Sequence, residues 1–403
     1  MKKLLYAVLA MAISFTSCSD DNGVDTVVTN GGTLQGGPFT FLVGDGVEDK
    51  VTGIQIGGNV VGANKSFVIT DEAGEILGLP KDLAELEAQN FDGAGEGLCF
   101  IWYIAYETGL EGLEVGKKAS DLKGNFDLSE SIEINRVLSA KLTLDLTGLE
   151  NLGDDFKYEG WVIVDGSPVS TGVFSVDDAG MLSQSSFYIA KSQLDEATKF
   201  VLSIEPTVDP DPAPADTKLL AGDFAGASAS VSSTNLVGDF SSSTGKYILA
   251  TPTDTDMTNE LSGVWFLDNP MAPVAGLDLP TLPAGWKYEG WVVIGGTPVS
   301  TGTFTDPAMA DDNAATSPYK GTDNNGPAYP GEDYVMGMAA GVSFPTDLRG
   351  ATVVISVEPS PDNSAAPFTL KPLAHMVPST ATNGMVLTMG DGPVKDISGT
   401  VSR

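Results

Sequence analysis

The hydrophobic positions of the chain fall into short runs that Gly, Pro, Asn and Asp interrupt. Trp161–Val164 and the apolar run that follows are joined by Asp165 and Gly166, a dipeptide that tolerates positive φ and is typical of a β-hairpin. The residues of Phe200–Glu205 either alternate between apolar and polar or are β-branched, as in a half-buried or core strand. Helical spacing is confined to Pro80–Ala88. The pattern predicts an all-β chain of tandem β-sandwich-like modules with little helix.

One segment of the chain occurs twice. Residues 157–174 begin with Lys-Tyr-Glu-Gly-Trp-Val and contain Pro-Val-Ser-Thr-Gly, and both motifs recur 130 residues later, in 287–304. A second pair of similar strands, Phe200–Pro206 and Val353–Pro359, is separated by 153 residues. The later copy therefore carries 23 additional residues near 306–333. Their Gly, Pro, Asn and Asp content predicts a surface loop.

The repeat also suggests domain boundaries. The expected domains are a β-rich N-terminal domain at 33–136, a first copy of the repeat at 137–234, and a second copy at 235–403 that contains the insertion 306–333. The Pro-rich stretches 207–216 and 360–367 occupy equivalent places, so each is predicted to be a loop within its copy. Because each copy has its own strands and its own Trp, we expect residues 235–403 to fold alone.

The N-terminal residues have the pattern of an export signal. Two lysines precede the apolar run Leu4–Phe15, which is followed by two small residues and Cys18. The run is shorter than the roughly 20 residues that a membrane-spanning helix needs. A Cys directly after small residues resembles a bacterial lipobox, which implies a signal peptide at 1–17 and an acylated Cys18 at the start of a flexible tether, 18–32. A plain secretory signal with a chance Cys is the alternative.

The lipid on Cys18 is the predicted contact with the membrane. Ser19–Asn22 resembles the acidic signal that sends some Gram-negative lipoproteins to the outer face of the outer membrane, and a solvated tether has the same composition. We therefore expect an outer-membrane lipoprotein of the cell envelope that is exposed at the cell surface.

Charge and composition exclude several functions. The 403 residues include 54 Asp and Glu against 21 Lys and Arg, which gives a net charge of −33. Nucleic acid and anionic lipid both require clustered Lys or Arg, so no nucleic acid is expected as a partner. A single His, His375, and two Cys are too few for a His- or Cys-rich metal site, and no Gly-x-Ser-x-Gly motif accompanies the His. We predict that the chain is not an enzyme.

The repeated motifs resemble a known family. Tyr-Glu-Gly-Trp-Val with Pro-Val-Ser-Thr-Gly-x-Phe, followed by a strand that ends in Glu-Pro, is similar to the extracytoplasmic C-terminal domain of bacterial anti-sigma factors. The resemblance covers about 141–224 and 247–378, and it implies two divergent copies of a β-sandwich. The sigma-binding domain and transmembrane helix of those proteins have no counterpart in the sequence, so their regulatory activity is not implied.

The N-terminal domain has a resemblance of its own, to a domain of unknown function in proteins of Gram-negative surface-export systems. The similar segments are Gly36–Phe39, Thr70–Pro80, Asn90–Gly95 and Gly124–Ser129. Such domains usually have a second Cys at the position of Asn125, which could pair with the Cys that matches Cys99. The resemblance therefore implies that Cys99 is a free thiol. Its apolar neighbours, which include Leu98 and Phe100, predict an inert buried residue, and a nucleophile is the alternative.

Calcium is the candidate metal, and no other cofactor is predicted. Calcium binds hard oxygen ligands, and Asp311, Asp312 and Asp323 lie in parts of the insertion that are rich in Asp and Asn. These stretches do not have the ligand spacing of an EF-hand. A solvated acidic loop without a metal is the alternative.

Four aromatic residues are candidate ligand contacts. Trp286, in a predicted turn, and Tyr319, Tyr329 and Tyr334, on or beside the insertion, could form an exposed platform for a sugar or a peptide. Packing in the core is the alternative. The Trp residues predicted to be core anchors are Trp161, Trp265 and Trp291.

The sequence predicts a non-enzymatic surface lipoprotein with a binding, adhesion or envelope-structural role. A sensor-like ectodomain of an anti-sigma signalling pathway is the main alternative, and an enzyme that acts on polysaccharide is a minor one. A glycan or a protein is the expected ligand. Because the insertion 306–333 is absent from the first copy, it is the expected place for ligand binding.

Overall fold

The computed structural model describes residues 28–362 and 364–403. Cys18, the signal peptide 1–17 and most of the tether 18–32 lie outside the described residues. The chain forms two compact units: unit 1 consists of 28–41, 48–91 and 96–136, and unit 2 consists of 42–47, 92–95 and 137–403. In the described part, strands far outnumber the two short α-helices, which confirms the all-β prediction. None of the described helices is long and apolar enough to cross a membrane.

Unit 1 is built on short strands and one helix. Its elements are β1 (Thr33–Gln35), β2 (Phe39–Val43), β3 (Gln55–Gly57), β4 (Asn64–Asp71), β5 (Ile76–Gly78), α1 (Leu83–Glu87), β6 (Gly97–Tyr106), β7 (Phe126–Leu128) and the first part of β8 (Ile132–Thr147). β4 pairs with β5 and β6, and β6 pairs with β7 and with residues 132–136 of β8, all antiparallel. β1 pairs with β3.

The core of unit 1 follows from its apolar strands. β4 is buried over most of its length, because Phe67 and Ile69 pack on one side and Val68 on the other. Helix α1 lies within the predicted helical stretch Pro80–Ala88, and the Asp82 side chain caps it by accepting the Glu85 N–H at 2.9 Å. Cys99 is free and buried in this core, as predicted.

Unit 2 contains both copies of the repeat. Its strands, after the second part of β8, are β9 (Phe156–Val164), β10 (Ser167–Phe174), β11 (Ser186–Ala190), β12 (Lys199–Pro206), β13 (Lys218–Ala225), β14 (Ser228–Ser232), β15 (Thr244–Leu249), β16 (Val264–Trp265), β17 (Leu267–Asp268), β18 (Val274–Ala275), β19 (Leu277–Asp278), β20 (Trp286–Ile294), β21 (Thr297–Phe304), β22 (Gly331–Glu332), β23 (Met338–Ala339), β24 (Val342–Ser343), β25 (Thr352–Pro359), β26 (Lys371–Met376), β27 (Leu387–Thr388), β28 (Gly390–Val394) and β29 (Ser398–Ser402). Helix α2 is Lys191–Glu196, and the 3-10 turns of unit 2 lie at Asp92–Ala94 and Ser233–Asn235. A further 3-10 turn, Ala119–Asp121, belongs to unit 1.

The two copies form equivalent sheets. The strand order in the first copy is β10-β9-β12-β13, and in the second it is β21-β20-β25-β26. The predicted hairpins are confirmed: Asp165 and Gly166 have φ values of 49° and 78°, and Gly295 and Gly296 have values of 60° and 90°. The first sheet continues through β14 and β29 to β8 and β11, and the second ends at β28.

The copies are joined through strand pairing and a common core. β29, at the end of the second copy, pairs on one side with β14 and on the other with β8. The Ser-rich stretch 225–234, where the sequence suggests a boundary, therefore contains a strand in the middle of a sheet. One continuous cluster of buried residues includes Tyr158 and Phe200 of the first copy and Tyr288 and Ile355 of the second.

Candidate functional site

The motif Ser-x-Glu-Pro ends β12 and β25 and holds the Pro-rich loop that follows each strand. Both Glu side chains are buried. Glu205 Oε1 accepts the Ala215 N–H at 2.8 Å, and Glu358 Oε1 accepts the Phe368 N–H at 2.9 Å. Each carboxyl group thus fixes the end of its loop, so the repeated Glu positions two loops.

A repeated Trp and Ser support each of these Glu residues. Trp161 Nε1 donates to Ser203 Oγ at 2.8 Å, and Ser203 Oγ donates to Glu205. The second copy has the same chain of bonds, from Trp291 through Ser356 to Glu358. The predicted core positions of Trp161, Trp265 and Trp291 are confirmed, since all three are buried.

The two fixed loops and the segment 150–156 enclose a cleft of about 650 Å³ in unit 2. Its apolar lining comes mainly from Leu152, Phe156, Ile204, Pro206, Pro359, Pro361 and Phe368. Its acidic lining consists of Glu150, Asp154, Asp155, Asp216 and Asp362. No Lys, Arg or His belongs to the described lining of the cleft. An apolar floor with an acidic rim suits a ligand that has both apolar and positively charged groups.

Glu150 makes the charge of the cleft depend on pH. Burial raises the pKa of this carboxyl group to about 7, although the positive charge of Lys371 acts in the opposite direction. The main chain at Glu150 is fixed, because its N–H and its carbonyl both bond to the Tyr158 hydroxyl, at 3.2 and 3.0 Å. The exposed carboxylates of Asp154 and Asp216 complete the rim.

The prediction that four aromatic rings form an exposed platform is wrong for two of them. Trp286 is 3% exposed and Tyr334 is 0% exposed. Trp286 begins β20 rather than lying in a turn, and it packs on Phe368 with ring centroids 5.9 Å apart. Tyr319, which is half-buried, packs on Tyr334 at 6.1 Å, and the half-buried Tyr329 donates its hydroxyl to the Pro273 carbonyl at 2.9 Å.

The insertion is also not the surface loop that its composition predicts. Asp333 is buried, and its carboxyl group accepts Trp265 Nε1 at 2.7 Å and the Thr253 N–H at 2.6 Å. Glu332 is buried as well and accepts the Ser317 hydroxyl. The bonds of Asp333 connect the end of the insertion to β16 and to the turn at Thr253, and the Glu332–Ser317 bond is buried within the insertion, so these parts of the insertion belong to the body of unit 2.

The three Asp residues predicted to bind calcium are not brought together as a site. Asp311 is 6% exposed, and its Oδ2 accepts the Gly331 N–H at 3.1 Å. Asp312 binds Lys287 Nζ at 2.7 Å, and Asp323 is exposed. Across the described residues, no three His, Cys, Asp or Glu side chains are placed to hold a metal ion.

The cleft was not predicted, because its walls come from segments more than 200 residues apart in the sequence. The available signal was the pair of equivalent Pro-rich loops, which the sequence identifies only as loops. Comparisons with protein-family models, with characterised proteins and with solved structures find no match for this chain. The resemblance to the anti-sigma C-terminal domain therefore stays a prediction.

Proposed function

We propose that this chain is a non-enzymatic lipoprotein of the cell envelope that binds a basic segment of another protein. The observation that carries the proposal is the cleft between the equivalent loops of the two copies, with its apolar floor and carboxylate rim. Lys or Arg side chains of the ligand would meet Asp154, Asp216 and the ionised form of Glu150. Their apolar stems, and neighbouring apolar residues, would cover Phe156 and the prolines.

A protein ligand is supported better than a glycan. Sugar-binding sites commonly offer an exposed aromatic face, whereas the candidate rings Trp286 and Tyr334 are buried. The carboxylate rim favours a cationic partner, and the net charge of −33 would attract such a partner over a distance at low salt.

The binding role is tested with an array that carries glycans and peptides graded from acidic to basic, probed with the mature chain with and without calcium. The proposal expects basic peptides to be captured, with a signal that falls as salt is raised and does not depend on calcium. Capture of glycans alone, or of acidic and basic peptides equally, would contradict it.

The membrane anchor is tested separately, through Cys18. Changing Cys18→Ala should move the protein from the membrane fraction to the soluble fraction or leave its signal peptide uncleaved. A Cys18→Ala protein that loses its signal peptide and still sediments with membranes would show that the lipid on Cys18 is not the anchor. Protease added to intact cells tests exposure at the surface.

A further inference from the structure

β10 and β21 are equivalent edge strands with nearly the same sequence. Both contain Pro-Val-Ser-Thr-Gly, and each pairs along one side, with β9 and β20 respectively. Both also have an irregularity in register at the same place, beside Thr171 and Thr301. The two strands therefore present the same backbone on their outer side.

The insertion 306–333 and the adjacent Tyr334 contact the main chain of β21 at three of its residues. The Tyr334 hydroxyl donates to the carbonyls of Val299 and Ser300, at 3.1 and 2.8 Å. The Asp312 N–H donates to the Thr303 carbonyl at 2.8 Å, and the Asp312 carboxylate binds Lys287 Nζ at 2.7 Å. A short acidic segment thus contacts this edge through one main-chain hydrogen bond and one ion pair.

Beside β10, Phe187 lies against Gly172 where Asp311 and Asn313 lie against the equivalent Gly302, but within the described part of the chain no segment bonds to the outer main chain of β10 as Asp312 does to Thr303. Val299 is buried, whereas its counterpart Val169 is half-buried, and Val173, the counterpart of Thr303, is 46% exposed. Since Asp312 reaches the Thr303 carbonyl from outside the sheet, the main chain of Val173 also faces outward. Such an open edge can accept a further strand.

A lysine in the first copy matches the lysine that binds Asp312 in the second. Lys157 holds the position equivalent to Lys287, which binds Asp312 in the second copy. Among the described residues Lys157 makes no salt bridge, in a chain with only 21 Lys and Arg. Lys157 therefore offers the positive charge that an acidic segment on β10 would need.

We propose that β10 binds an extended acidic segment of another protein, which lies along 167–173 and repeats there the contacts that Asp312 makes with Thr303 and Lys287 in the second copy. An Asp or Glu of that segment donates its N–H to the Val173 carbonyl and pairs its carboxylate with Lys157 Nζ. This site is separate from the acidic cleft and has the opposite charge preference. Either the binding of an acidic segment here or the binding of a basic segment in the cleft can therefore be disproved without affecting the other.

The probe is a synthetic peptide with the sequence of residues 308–316, the segment that contacts β21, added to the mature protein at up to millimolar concentration. Amide hydrogen exchange is measured for residues 167–174. We expect exchange at Val173 to slow in proportion to peptide bound, and Lys157→Ala to weaken binding about two- to fivefold, the range for an exposed ion pair. Lys65→Ala, an exposed lysine in unit 1, should bind like the wild type.

Three outcomes would overturn the proposal. One is unchanged exchange at Val173 throughout the peptide titration. Another is equal slowing by a peptide in which Asp312 is replaced by Lys, which would remove the charge preference. The third is slowing without peptide that grows with protein concentration, together with a dimer in light scattering, because the occupant would then be a second copy of this chain.

Discussion

Buried carboxyl groups of the second copy determine how single residues respond to pH. Burial raises the pKa of Glu358 to about 8, of Glu289 and Glu332 to about 7, and of Asp311 and Asp333 to about 6. The folded protein therefore holds protons that the unfolded chain has already released. The stability that these groups contribute is fully present below their unfolded pKa values and is lost as the pH rises through about 6 to 8.

The melting temperature should accordingly fall as the pH rises from about 4, where these groups ionise in the unfolded chain, to about 8, where the last of them ionises in the folded protein. Glu358→Gln keeps an oxygen that can accept the Phe368 N–H but cannot ionise, so this variant should lose less stability over the same range. Glu72→Gln, at an exposed position of unit 1, is the matched control and should behave like the wild type. An equal fall in wild type and Glu358→Gln would show that Glu358 does not hold its proton.

The sequence allowed some of these residue environments to be predicted. The predicted burial of Trp161, Trp291 and Cys99 is confirmed. Each of these residues lies in a run of apolar residues, and such a run by itself indicates a buried strand. The exposure of Trp286 and Tyr334 was predicted wrongly. Their partners, such as Phe368 for Trp286, lie too far along the chain for local composition to indicate them.

At the scale of elements, hairpins were predictable and the insertion was not. The turns Asp165-Gly166 and Gly295-Gly296 specify the hairpin locally through positive φ. The insertion has the composition of a loop, yet Asp333 binds Trp265 and Thr253. The amino-acid composition of this stretch indicates that it lacks regular structure, but it does not indicate which polar side chains are buried and hydrogen-bonded.

Deleting residues 311–332 and joining the ends with a short Gly-Ser bridge should therefore abolish cooperative unfolding. The deletion removes Glu332, separates Asp333 from its neighbours and exposes the outer side of β21. Replacing Asp209–Ala213, an exposed stretch of the first copy, with Gly and Ser is the control and should leave the melting temperature nearly unchanged. A folded deletion variant with the wild-type melting temperature would mean that the insertion is peripheral after all.

At the scale of the whole molecule, the last strand joins the two copies. Among the described strands β29 pairs with β14 and β8, both from the first copy, and with none of the second, and the buried cluster contains side chains of both copies. The repeat in the sequence indicates where similar strands occur, but similarity between copies does not indicate which strands pair. We therefore no longer expect residues 235–403 to fold alone.

Residues 137–403 should fold as a cooperative unit, whereas residues 235–403 should not. In the shorter fragment β29 has no partner strand, and one side of the shared core is exposed to water. Circular dichroism and urea titration of both fragments check this. A cooperative transition of 235–403, with a midpoint equal to that of 137–403, would show that each copy is independent.

The central claim is that the acidic cleft formed by both copies binds a basic segment, and isothermal titration of the mature protein with the best basic peptide from the array tests it most directly. The account predicts that Asp154→Asn with Asp216→Asn weakens binding about tenfold, as two exposed charge pairs would. Asp209→Asn with Asp211→Asn, which removes the same charge outside the cleft lining, should have little effect. Affinity should also rise with pH through about 7, as Glu150 ionises. Equal affinity of the two double variants would contradict the account, because it would place the binding site outside the cleft.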